Sequence, residues 1–117
     1  MIDPSSPLSV EHPVVVWVRR EVLPAIIERW APQEVIVFDP PDSAASLGRS
    51  APGVLIVAAC FESVPVAERV AEVRAALTGV SPVRPLCLTP GEFARAAGVP
   101  GPVLAAARGG VRLLGRH

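Results

Sequence analysis

Few side chains in this sequence are of types that carry chemistry, and their spacing decides what each can do. Asp39 and Asp42 stand three apart in a segment rich in Pro, Ser and Gly, and Glu62 follows an apolar run. Carboxylates of this kind can hold a hard divalent cation, but solvated loop and cap carboxylates account for them more simply. Arg49 and Arg84 carry guanidinium groups, whose planar fork suits phosphate; an ordinary surface or ion-pair role for Arg84 is the plainer reading. Ser43, Ser46 and Ser50 have no His close by, and His12 and His117 lie near the two ends. Neither a Ser-His nor a Cys-His nucleophile pair is expected. Residues 48–53 contain no phosphate-loop pattern. Cys60 and Cys87 sit in apolar, strand-like runs with no His or third Cys near either. Both are read as buried, reduced thiols acting as small hydrophobes, not as a disulfide or a metal pair.

Composition narrows the classes further. A chain of 117 residues fits a single domain. Half of it is hydrophobic and 19% is charged, so a sizeable core forms without disulfides or metals. That core is mainly aliphatic, because the chain has two Trp, three Phe and no Tyr. Eleven cations balance eleven acids, and every cation is Arg. The absence of Lys excludes a Schiff-base or P-loop mechanism. Zero net charge and scarce aromatic platforms argue against general nucleic-acid binding. The longest apolar run, residues 54–60, is too short to cross a bilayer. The start shows no basic segment followed by an apolar one. A cytoplasmic protein without membrane contact is the expectation.

The elements that must position these residues follow from periodicity. Residues 1–12 are polar and Pro-bearing, a flexible N-terminal arm, and residues 13–117 form one domain. Over residues 13–30 the apolar positions Val15, Val18, Val22, Ile26 and Trp30 recur at helical spacing. Pro24 falls inside that helix and should kink it, and Ala31-Pro32 closes it. Residues 34–38 read as a first strand, 39–53 as a long loop, and 54–61 as a second strand, apolar throughout and covered on both faces. Ser63 is placed to cap a helix with Pro65 in its first turn, Val66, Val70, Val73 and Leu77 on one face, and Gly79 at its end. Glu68, Arg69 and Glu72 fall off that apolar face. Residues 82–88 form a third strand, confined by Pro85 to a sheet edge or strand end. Thr89, Pro90 and Glu92 spell a helix start with a capping box. That short helix runs to about Ala97, a last helix spans 102–108, Gly109-Gly110 stops it, and a strand covers 111–114. The order predicts an α/β (α+β) domain with a small mixed β-sheet and helices packed on it.

This order and several local phrases resemble the minimal nucleotidyltransferases of the DNA polymerase β-like superfamily. Val35-Ile-Val-Phe38 and Val54-Leu-Ile-Val57 match that family's first two strands. Leu88-Thr-Pro-Gly-Glu-Phe93 matches the phrase after the third, and the segment from Val103 to Leu114 matches the closing helix and strand. The resemblance covers roughly residues 14–114 and rests on scaffold positions. It implies a nucleotidyltransferase-like fold. In the family it further implies a Gly-Ser turn for nucleotide phosphates after the first strand, an Asp-x-Asp at the second and an acid on the third, which hold Mg²⁺ for transfer from a nucleoside triphosphate.

The chain departs from the family at those places. Asp39-Pro40 replaces the Gly-Ser turn, which removes an amide and adds a charge that repels phosphate. Ala51 and Gly53 stand where the Asp-x-Asp is expected, and Arg84 where the third acid is expected. Divalent cations need carboxylate oxygens there. The resemblance therefore implies a pseudoenzyme with no catalytic residues, metal or cofactor. It would act through protein–protein interaction in an antitoxin-like or regulatory role, with a small all-helical protein as partner or as a homo-oligomer. The alternative is a nucleotide-binding protein or nucleotidyltransferase with a rebuilt site using Arg49, Arg84, Asp39 and Asp42, for which Mg²⁺ and a nucleoside triphosphate would be needed.

Overall fold

The computed structural model describes residues 13–38, 53–77 and 83–115. The expected arm (1–12), the loop residues 39–52 and the helix stop at Gly79 lie outside the described residues.

The N-terminal helical pattern forms α1 (Pro13–Trp17), a π-helical turn (Val18–Val22) and α2 (Leu23–Trp30). The expected interruption at Pro24 takes this form. Pro24 has no N–H to donate one turn back, and the widened turn before it lets the Leu23 amide donate to the Val18 carbonyl. Pro24 then occupies the first turn of α2, where proline is tolerated. At the other end Ala31 turns left-handed (φ 44°) and its amide donates to Ile27, so the helix stops before Pro32.

Four strands follow: β1 (Glu34–Phe38), β2 (Gly53–Val57), β3 (Arg84–Leu88) and β4 (Val111–Leu114). They make one mixed sheet in the order β3-β2-β1-β4. β1 is antiparallel to β2 and β4, and β2 is parallel to β3. The parallel pair needs a crossover, which a 3₁₀ turn (Ala59–Ser63) and α3 (Val66–Ala76) supply. α4 (Pro90–Ala97) and α5 (Pro102–Gly109) lie between β3 and β4. The fold is the expected α/β class, with a mixed sheet and helices packed on it.

Alternation along the strands sends side chains to two faces. On one, Val35, Val37, Val54, Ile56 and Cys87 pack against the N-terminal helices and α3 through Val15, Val18, Val22, Ile26 and Val73. On the other, Ile36, Leu55 and Val57 meet Ala106, with Phe38, Leu86, Leu88, Phe93 and Val103 partly buried around them. Each fully buried aliphatic side chain contributes about 1.5–3 kcal/mol, and the first face holds far more of them. α4 has no fully buried residue. Gly110 lets the end of α5 approach β1 closely, since a Cβ there would stand 2.6 Å from the Val37 carbonyl oxygen.

Three expectations need correction. The second strand does not run to Phe61. The Ala58 amide donates to the Leu88 carbonyl, the chain then turns, and Phe61 is buried from a 3₁₀ turn. Cys60 is consequently exposed, not buried. Ser63 does not cap α3: Pro65 occupies the cap position with no side-chain cap bond. Pro85 does lie on an edge strand, where its missing N–H costs no ladder bond inside the sheet. Among the described residues, no helix is long and apolar enough to cross a membrane.

Candidate functional site

Register decides which sequence positions meet. Phe38 is the last residue of β1 and pairs with Gly53, the first of β2. Gly53 in turn pairs with Arg84, the first residue of β3. Phe38, Gly53 and Arg84 thus form one row across the sheet, on the face that carries α4 and α5. Two of the sequence-selected positions, Gly53 and Arg84, are brought side by side. Asp39, Pro40, Arg49 and Ala51, with Asp42, lie outside the described residues.

The row is filled. The Phe38 ring lies across Gly53, so that a Cβ built there would come within 2.5 Å of the ring. Any side chain at position 53 must displace that ring. Beyond it the Arg84 guanidinium carbon stands 6.0 Å from the Phe38 ring centroid, within cation–π reach. The three residues offer a hydrogen, an aromatic ring and a cation, none of which ligates a hard metal ion. Mg²⁺ does not fit these groups. Glu62 gives no relief. It lies in the 3₁₀ turn beyond the opposite end of β2, and the strand between Gly53 and Val57 spans about 13 Å at ~3.3 Å per residue. Among the described residues, no group of three or more His, Cys, Asp or Glu is placed to hold a metal.

A second polar constellation, at the other end of the sheet, was not visible in the sequence. Arg69, assigned by periodicity to the polar side of α3, is only 5% exposed. Its Nε donates to the Val64 carbonyl at 2.7 Å, and one terminal nitrogen reaches the Cys87 carbonyl at 3.3 Å and Glu92 Oε1 at 2.7 Å. The guanidinium carbon also stands 5.8 Å from the Phe61 ring centroid. Glu92 accepts from the Thr89 amide at 2.8 Å, and Thr89 Oγ1 accepts from the Glu92 amide at 3.1 Å, which completes the expected capping box. The Thr89 amide, followed by Arg69, holds the Glu92 carboxyl below its ordinary range. Burial pushes the Cys87 thiol up to about 12, with Arg69 pulling the other way. These bonds tie α3, the end of β3 and the start of α4 together. Their geometry describes a structural clamp, because the groups bond to one another. The spacing from Val66 and Val73 puts Arg69 at the margin of the buried face of α3, but only the β2–α3–β3 crossover brings residues 69 and 92 together.

Cys60 is exposed, with its sulfur 3.5 Å from the Trp30 carbonyl oxygen. Compared with known families, curated proteins and solved structures, the chain matches none.

Proposed function

We propose that this chain is a non-catalytic, nucleotidyltransferase-like domain that acts through protein–protein interaction, in an antitoxin-like or regulatory role. One observation supports this reading above the others: Gly53 and Arg84, the positions where the family's carboxylates would stand, are register partners, with the Phe38 ring lying across Gly53 and the Arg84 guanidinium over that ring. A site of the family's kind would need acidic oxygens converging at that row. The row presents a hydrogen, an aromatic ring and a guanidinium instead, none of which ligates a divalent cation. The reading places the protein in the cytoplasm, beside a small all-helical partner or in a homo-oligomer, with no cofactor.

Calorimetric titration of the purified chain with ATP, GTP, CTP and UTP, each with Mg²⁺ and with Mn²⁺, tests it. The expected result is no saturable heat with any nucleotide. Saturable, metal-dependent binding would favour a nucleotide-binding protein or transferase with a rebuilt site around Arg49, Arg84, Asp39 and Asp42.

A further inference from the structure

We propose that the α4–α5 layer is a docking surface for an acidic, amphipathic segment of a different protein; this rests on the interaction-domain reading above. The first observation is incomplete burial. Leu86 and Leu88 of β3, Phe93 of α4 and Val103 of α5 are only partly covered, and Val99 between the helices is 56% exposed. The central strands are buried on both faces, with Ile36, Leu55 and Val57 at most 1% exposed here; the incomplete cover is at β3, whose Cys87 on the opposite face is 1% exposed.

The second observation is the sign of the charge around that apolar ground. Residues 83–115 contain four Arg and one acid, Glu92. Glu92 is committed to Arg69 and Thr89, and Arg112 is paired with Glu34 at 2.8 Å. Arg95 and Arg108, in the last turns of α4 and α5, are exposed and in no ion pair among the described residues. In those turns they complement the helix dipoles while leaving their guanidinium heads in solvent. The exposed acids Glu62, Glu68 and Glu72 belong to the 3₁₀ turn and α3, whose helix packs on the other sheet face.

Charge then selects the occupant. A two-fold self-contact through α4–α5 would set this Arg-rich surface against its own copy, and like charges facing one another disfavour that contact. Nucleic acid would meet two unpaired cations and an apolar floor that offers nothing to phosphate. A helix with an apolar stripe and a Glu or Asp flank satisfies both features, in the helix-in-groove manner.

The test titrates the full ¹⁵N-labelled chain with three probes while amide shifts are followed: a synthetic amphipathic helix with Leu on one face and Glu on the other, the same helix with Lys for Glu, and a single-stranded DNA oligonucleotide. The expected result is saturable binding of the Glu helix alone, mapped to residues 90–108. The R95E/R108E double variant, shown to be folded by its own spectrum, should weaken it about tenfold. The proposal is overturned by no saturable binding, by shifts mapping to α1–α2 or α3, by equal binding of the Lys helix, or by the oligonucleotide saturating the same amides. Those failures leave the nucleotide titration silent, so they are distinct from failure of the functional reading.

Discussion

At the scale of single residues, the account turns on how one glycine and one phenylalanine share space. A methyl group at position 53 would meet three ring carbons of Phe38 between 2.5 and 2.8 Å, so the ring must swing away from the sheet. Gly53→Ala should therefore cost about 1–3 kcal/mol in urea unfolding. In a Phe38→Ala background the same substitution should cost under about 0.5 kcal/mol, because nothing remains to displace. Additive costs would mean that ring and glycine are not in contact. The two thiols give a second expectation. Cys87 is 1% exposed with its ionisation suppressed by burial, whereas Cys60 is exposed. A thiolate-seeking reagent at neutral pH should label one sulfur in the folded protein, located by mass spectrometry at Cys60, and both after unfolding. Rapid labelling of Cys87 in the native state would contradict the packing of β3.

At the scale of elements, the capping box and the Arg69 clamp join three pieces of structure and carry a pH signature. The Glu92 carboxyl is depressed when folded, so its contribution is present above the unfolded value, about 4.3. It is lost as pH falls through the lower folded value. Stability measured from about pH 5 to about pH 3 should fall less steeply in Glu92→Gln than in the parent. Thr89→Ala should cost about 1 kcal/mol at neutral pH. Equal acid slopes would show that the clamp does not form. The capping box was legible from Thr89, Pro90 and Glu92 alone, because its partners are local. Pro85 likewise marked an edge by its missing donor. Arg69 misleads by its charge: it stands three residues after Val66 and four before Val73, at the margin of the apolar face, but nothing local announces that β3 and α4 will close over it. The end of the second strand was hidden for a related reason. Residues 58–61 are as apolar as the strand before them, yet the bond from Ala58 to Leu88 and burial of Phe61 turn the chain there. At the candidate site the sequence supplied positions 53 and 84. The ring over position 53 came only from the antiparallel register, which no pattern within residues 39–53 reveals.

At the scale of the whole molecule, the sheet separates two unlike layers. One is closed by three helical segments and holds most of the buried aliphatic volume. The other is thin and partly apolar, carries the exposed Arg95 and Arg108, and is the side on which the Phe38 ring covers Gly53. Both sheet edges, β3 and β4, are short, and Pro85 blunts the first against strand addition. Among the described residues, no group of three or more His, Cys, Asp or Glu is placed to hold a metal ion. The most direct measurement is anomalous diffraction from crystals soaked in Mn²⁺ with a nucleoside triphosphate. The account predicts no manganese peak beside Gly53 and Arg84, with the Phe38 ring still lying across Gly53. A manganese ion bound there, with the ring displaced, would contradict it.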